Sequence, residues 1–340
     1  MIDRLLTLAT NKIHNLPVIV LMPHSRCNCR CVMCDIWKAN HNKKEISAEE
    51  LQKHLHHFKK LNVREVVFSG GEALMHPNLW RLCELLREGD IKITLLSTGL
   101  LLEKNAQEIL DNFNEVIVSL DGSASVHDTI RNIPNGFVKI ASGIRALKKI
   151  KPAFRITARC VVQRYNFKDL INTVNDAKEI GLDQISFLAA DVSTPAFNHV
   201  EQLSAERINE IALNKEETFE FEAIVERSFS ELKEEYDSKF IAESKAKMKK
   251  IVQHYKAVNG LGEYAGSYCN APWVSAVIES DGTVLPCFFH KAYGNIYEQD
   301  FLEIINSAQA ISFRKNLKVS TDPICKKCVC SLHVGLNKML

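Results

Sequence analysis

The segment "PVIVLMPHSRCNCRCVMC" (17–34) runs a short β-branched stretch straight into a loop with four cysteines in eight positions. "PVIVLM" (17–22) has the composition of a buried strand. A buried strand ending in a ligand-bearing loop is the repeating unit of parallel α/β sheets, whose sites collect at the C-terminal strand ends. Five further runs follow: "EVVFSG" (65–70), "IKITLLS" (91–97), "EVIVSL" (115–120), "FRITARCVV" (154–162) and "QISFLA" (184–189). Helical patterns separate them at the spacing of βα units. Together they predict an α/β chain, a partial (βα)6 barrel of TIM type. Gly70, Gly71, Gly99 and Gly122 punctuate the strand ends. The helix after the cysteine loop starts at Ser47, with Glu50 three residues on as the return half of a capping box.

Beyond residue 200 the pattern changes. "SELKEEYDSKFIAESKAKMKK" (230–250) reads as solvated helices that cover or flank the barrel. From Cys269 the text turns short-stranded, and "WVSAVIESDGTVLPCFF" carries an Asp-Gly turn at 281–282, a hairpin signal. The expected organisation is a barrel over 1–199, a charged helical insertion or linker over 200–257, and a small hairpin-and-helix domain over 258–340.

A net charge of +2 gives no reason to expect nucleic acid or a membrane surface as partner. The first sixteen residues lack a signal-peptide core, and the apolar run Val18 to Met22 is far too short to span a bilayer. The expectation is a cytoplasmic protein. In that compartment disulfides are rare, so clustered cysteines point to metal or redox chemistry. Of eleven cysteines, four stand at 27, 29, 31 and 34 and five at 269, 287, 325, 328 and 330. Cys83 and Cys160 stand alone in helical and strand patterns and read as core residues.

Cys27, Cys31 and Cys34 are spaced C-x3-C-x2-C. Three thiolates so placed can hold three corners of an iron–sulfur cubane and leave one iron open. With Cys29 as a fourth ligand, the same loop makes a closed zinc site. Cys269 and Cys287, in a C-x12-G-x4-C frame, and the pair Cys325 and Cys328 fit either a four-thiolate zinc ribbon or a second cluster.

Read in order, these segments resemble the radical S-adenosylmethionine enzymes. "CNCRCVMC" carries the signature triad with Cys29 as an extra, nonligating residue. Met33 stands where an aromatic is common. "SGGEALMHP" (69–77) resembles the family's Gly-Gly-Glu segment and "LLSTG" (95–99) its third-strand segment. "VSLDGSASVHDTIRN" (118–132) resembles the Ser-Leu-Asp-Gly segment with the His-Asp-x-x-Arg that follows it in one subgroup. The resemblance implies two [4Fe–4S] clusters, one binding S-adenosylmethionine through Cys27, Cys31 and Cys34. The other would be an auxiliary cluster on Cys269, Cys287, Cys325 and Cys328, in a SPASM- or twitch-type appendage with Cys330 spare or alternate. It implies that Gly70 and Gly71 let backbone approach the methionyl amine, and that Glu72 secures the polar end of the ligand. Ser97, Ser119 and Asp121 lie where ribose or carboxylate contacts are made in relatives, and Arg159 is placed to pair with the methionyl carboxylate. Ser97 and Ser119 also read as ordinary turn residues, and Arg159 as an ion-pair member.

The resemblance implies reductive cleavage of S-adenosylmethionine to a 5′-deoxyadenosyl radical. That radical takes a hydrogen atom from substrate, and a one-electron donor such as a flavodoxin or ferredoxin is the reducing partner. A small-molecule substrate is the leading expectation, since the first strand begins by residue 17 with no peptide-recognition domain before it. The alternatives are a peptide maturase and a non-catalytic zinc or iron–sulfur binding module. His127, Asp128, Tyr165, Asp191, His199 and His290 are candidates for the barrel mouth, with nothing to choose among them.

Overall fold

The computed structural model describes residues 2–197 and 203–335. His199 lies outside the described residues. The six expected strands form as β1 (Val18–Leu21), β2 (Glu65–Phe68), β3 (Lys92–Ser97), β4 (Glu115–Ser119), β5 (Arg155–Val162) and β6 (Gln184–Ala189). They pair in parallel, each with its sequence neighbour, as helical crossovers between strands require. Val66, Phe68, Ile93, Leu95, Val116, Val118, Ile156, Ala158 and Ile185 are buried and form one core with the crossover helices, as do Cys83 and Cys160.

The hairpin strands β7 (Ser275–Ile278) and β8 (Thr283–Leu285) flank Gly282, which takes a left-handed φ of +84°. A third short strand, β9 (Gly294–Asn295), pairs with β8. The hairpin joins the barrel sheet, because β7 pairs in parallel with β1 in the register Val18↔Ser275 to Leu21↔Ile278. The order is β6-β5-β4-β3-β2-β1-β7-β8-β9. This places the hairpin turn beside the cysteine loop. Met22 N–H donates to Ile278 O at 2.8 Å, and Lys44 reaches Asp281 at 3.1 Å.

Two local features depart from the sequence reading. A helix over Ala124–Arg131, within the His-Asp-x-x-Arg segment, precedes the expected one at Gly136–Ile150. Ser47 caps its helix by accepting from Glu50 N–H, but the Glu50 carboxylate turns to Lys53 and His54 instead of returning to Ser47.

The charged segment beyond 200 forms helices including Lys215–Glu231 and Lys245–Val258, whose buried faces carry Phe221, Val225, Ile251, Val252 and Tyr255. They lie along the β6 side of the sheet, where Ile185 N–H donates to Phe240 O and Ala242 N–H to Ile185 O. Fully buried Tyr255 donates its hydroxyl to Val162 O and accepts from Ala190 N–H at 3.0 Å, so it closes the ends of β5 and β6. Ala190 N–H also donates to Val162 O at 3.1 Å, so Tyr255→Phe leaves neither group unpaired and is expected to destabilise the fold by about 0.5–1.5 kcal/mol, the net worth of a hydrogen bond. Chemical denaturation reads that loss, and faster hydrogen exchange at Ala190 locates it; an unchanged midpoint would mean that packing alone holds this helix.

Candidate active site and cysteine centres

The cysteine loop leaves β1 and is held from three sides. Asn40 clamps Cys27, accepting from its N–H and donating to its carbonyl, both at 2.9 Å. Arg30 and Val32 N–H groups donate to the carbonyls of Arg131 and Ile130, at the end of the helix that follows β4. Arg207 donates to Val32 O.

The Gly-Gly-Glu loop forms the third side. Glu72 N–H donates to Arg26 O at 2.8 Å. A Cβ on Gly71 would stand 2.0 Å from Arg26 O, so only glycine allows this approach. Gly70 has φ +104°, and a Cβ there would meet Met22 at 2.8 Å. The close approach of these glycines is thus to the cysteine loop, and both also line the cleft described below.

Glu72 is completely buried. Its carboxylate accepts from Ser97 Oγ at 3.0 Å, from Thr98 N–H and Oγ1 at 2.7 Å, and from Leu74 N–H at 3.1 Å. Burial still pushes the carboxyl above its ordinary range, against these donors. Ser97 and Glu72 are therefore brought together, each chiefly serving the other. Thr98 links them to the cysteine loop through Asn28 at 2.9 Å.

Asp121, also fully buried, pairs with Arg131 at 2.6 Å and accepts from Val161 N–H at 2.8 Å. Arg131 in turn donates to Cys31 Sγ at 3.5 Å. Asp121 reaches the sulfur site only through this arginine, the last residue of the His-Asp-x-x-Arg motif and one that sequence reasoning did not single out. His127 supports the pair by accepting from Asp121 N–H; burial and then Arg131 push its imidazole down to about 3. Ser119 and Arg159 face each other across β4 and β5. Arg159 is half-buried, and its guanidinium makes no hydrogen bond or ion pair among the described residues.

Cys27, Cys29 and Cys31 are neighbours in the loop, and Cys34 feels the charge of Cys31 and Cys27. Cys29 is the neighbour of both Cys27 and Cys31, and their proximity pushes its own ionisation up. The contact with Cys29 pulls Cys27 down. Cys29, then Arg131, pull Cys31 down to about 6 against burial. Burial pushes Cys34 up to about 12. In the C-terminal group, Cys287, Cys325 and Cys328 each feel the charge of Cys269, and Cys287 and Cys328 that of Cys330 as well. Burial pushes Cys287 up to about 11 and Cys325 to about 12, and raises Cys328 as well. His290 Nε2 lies 3.3 Å from Cys325 Sγ. Crowded, buried thiols with little cationic help are unfavourable as thiolates until a metal centre supplies the charge. Both donor sets therefore fit soft-metal or iron–sulfur binding.

A cleft of about 900 Å³ is lined by residues that neighbour both groups in sequence, with none of the cysteines themselves among its walls. Its walls include Ser25 and Asp35, which flank the cysteine loop, with Gly70, Gly71, Asp281, Phe288, Phe289 and His290. Of the other mouth candidates, Asp128 caps the helix at Phe137, Tyr165 points outward at 46% exposure, and Asp191 is bonded to Ser193 and Thr194.

Comparison with known proteins agrees with this geometry. Residues 21–188 match the Radical SAM superfamily and residues 269–329 the SPASM iron–sulfur cluster-binding domain. The chain is 25% identical over 328 residues to the antilisterial bacteriocin subtilosin biosynthesis protein AlbA of Bacillus subtilis, covering 92% of this chain and 66% of AlbA. It is 27% identical over 332 residues to a serine-type anaerobic sulfatase-maturating enzyme of Bacteroides thetaiotaomicron, covering 89% and 77%. The crystal structure of Streptococcus suis SuiB bound to precursor peptide SuiA has the same fold, with a TM-score of 0.68 at 15% identity, covering 96% of this chain and 74% of that one. No helix among the described residues is long and apolar enough to cross a membrane. The chain belongs to the radical S-adenosylmethionine superfamily, as an enzyme that uses S-adenosylmethionine and iron–sulfur clusters and carries a C-terminal SPASM-type domain.

Proposed function

We propose that this enzyme modifies a peptide or protein side chain by hydrogen-atom abstraction. The observation that carries this reading is the cleft between the two cysteine groups. Phe288 and Phe289 give it apolar surface, while Lys38, Lys44, Asp35 and Asp281 supply charges of both signs. Such a mixed surface suits a chain segment with side chains of differing character. The names of the relatives matched along most of the chain, a bacteriocin biosynthesis protein and a sulfatase-maturating enzyme, support this reading over the small-molecule substrate expected from sequence.

When bound, the N-terminal cluster and S-adenosylmethionine supply a 5′-deoxyadenosyl radical, with the electron drawn from a flavodoxin- or ferredoxin-type donor. The chain's own work is placement. Cys27, Cys31 and Cys34 would hold the cluster, and the thiol of Cys29 would donate to two of these ligands. Arg131, fixed by Asp121, would orient Cys31 and offset its charge. Glu72, Ser97 and Thr98 would keep the strand-end loops in register around the cofactor. Arg159, without a side-chain partner among the described residues, would receive the methionyl carboxylate beside Ser119. Gly70 and Gly71, on the cleft wall, would leave room for the methionyl amine. Cys269, Cys287, Cys325 and Cys328 would hold one auxiliary cluster across the cleft.

Three tests follow from this assignment. Cys29→Ala should leave reductive cleavage of S-adenosylmethionine largely intact while Cys31→Ala abolishes it; equal loss in both would make Cys29 a ligand. Arg131→Gln should lower 5′-deoxyadenosine formation by roughly 10–100-fold, the usual cost of an outer-shell partner. Iron at the C-terminal site should be retained, as cluster-specific electron paramagnetic resonance would show. The substrate class is tested with short peptides encoded beside the gene, incubated anaerobically with enzyme, reductant and S-adenosylmethionine. A peptide mass change in step with 5′-deoxyadenosine is expected. Stimulation by small polyols or amino sugars, and by no peptide, would overturn the peptide reading.

A further inference from the structure

Away from the sulfur sites, the helix Ala48–Lys60 carries "HLHHF" (54–58). His54 and His57, one turn apart, are 3% and 7% exposed. One nitrogen from each ring and a carboxylate oxygen of Asp300 lie within 4.8 Å of one another. Asp300 comes from the C-terminal unit, immediately before the short helix Phe301–Ile305, and its side chain caps nothing there.

Three observations point to an ion. The first is orphaned polarity: Nδ1 of His54 and both ring nitrogens of His57 are buried without a hydrogen-bond partner. Buried polar atoms are rarely left so unless something is missing from the site. The second is the anchoring of His54. Its Nε2 lies 3.2 Å from both the Glu50 carboxylate and the Ile296 carbonyl, and Lys53 holds Glu50 at 2.7 Å. Metal-ligating histidines characteristically give their other N–H to a carboxylate or carbonyl in this way, which fixes the tautomer and leaves the opposite lone pair free. This also explains why Glu50 abandons the capping box. The third is the His57 Nε2 to Asp300 Oδ1 separation of 3.6 Å. That is too long for a hydrogen bond. It is close to the roughly 3.3 Å between two ligands on one tetrahedral zinc ion with bonds of about 2.0–2.1 Å.

We propose that His54, His57 and Asp300 form a divalent-cation site of zinc type, which clamps the first barrel helix to the C-terminal iron–sulfur unit. Two imidazoles and a carboxylate select zinc over magnesium or calcium, which prefer all-oxygen shells. The half-exposed Asp300 leaves the remaining position open to water. The clamp sits beside the edge-to-face pair Phe58–Phe301, with ring centroids 5.3 Å apart, so the ion would reinforce an apolar seam between the same two helices.

The test uses untagged, anaerobically reconstituted holoenzyme, in which the cluster cysteines are already occupied. Isothermal titration with Zn²⁺ is expected to show one tight site per chain. In Asp300→Asn and His57→Asn the affinity is expected to fall at least about tenfold, with iron and sulfide contents unchanged. Zn²⁺ should raise the melting temperature of the wild type and not of the variants, because a ligand bound only to the folded state stabilises it. The Asp300 side chain is 61% exposed, so Asp300→Asn decides the matter even if His57→Asn fails to fold. No Zn²⁺ bound by the wild type, or equal affinity and equal thermal shift in Asp300→Asn, would overturn the proposal.

Discussion

The buried carboxylate of Glu72 joins the loops after β2 and β3, and its own backbone N–H joins both to the loop after β1. A carboxylate without water is very costly unless its lone pairs are filled, and here Ser97, Thr98 and Leu74 fill them. The donors do not fully offset burial, since the carboxyl is still pushed above its usual range. The site thus accepts an unfavourable burial to gain a fixed geometry. The start of the cysteine loop depends on it, because Glu72 N–H holds the carbonyl of Arg26, next to Cys27, and Gly71 packs closely against the same carbonyl.

The second constraint is the chain from Asp121 through Arg131 to Cys31. Arg131 is a buried cation between a carboxylate and a sulfur. Removing Asp121 or Arg131 would leave the other as an uncompensated buried charge, a change that typically costs about 3–5 kcal/mol. Together with the Asn40 clamp on Cys27, this presets two of the three expected ligand sulfurs before any metal arrives. Preset ligands are what a site needs to hold its geometry within a fraction of an ångström.

The six barrel strands were legible because each is a compact β-branched run ended by turn residues, and the crossover helices announce themselves by period. The Asp-Gly hairpin was legible for the same local reason. The pairing of β7 with β1 was not, because parallel pairing across some 250 residues leaves no local mark. At the site, the cysteine spacing and the strand-end segments drew attention to the right loops, but not to the direction in which side chains turn. The resemblance implies ligand contacts for Glu72 and Asp121, and the structure adds what it could not: their carboxylates also face Ser97, Thr98 and Arg131. Nothing local in the His-Asp-x-x-Arg segment shows that Arg131 crosses to Cys31. Glu50 shows the same limit: Ser47-x-x-Glu50 is a sound capping pattern, and only the tertiary placement of Ile296 and His54 redirects it.

The β1–β7 pairing has a consequence for how the two cysteine groups communicate. Leu21 and Ile278 are register partners, so the cysteine loop and the hairpin turn leave the sheet at the same level. The cleft between them is walled on this side by strands joined through backbone hydrogen bonds, not by two bodies docked through side chains. Its width there cannot change without breaking a parallel ladder, so hinge closure along this seam is disfavoured. Selection among substrates must therefore fall to what projects into a fixed space. Phe288 and Phe289, which directly follow Cys287, place that selecting surface on the same short segment as an expected ligand of the auxiliary cluster. A substrate side chain resting on these rings would thus be held by a segment whose position the β1–β7 ladder fixes, a geometric reason for the second group to be built into the barrel sheet.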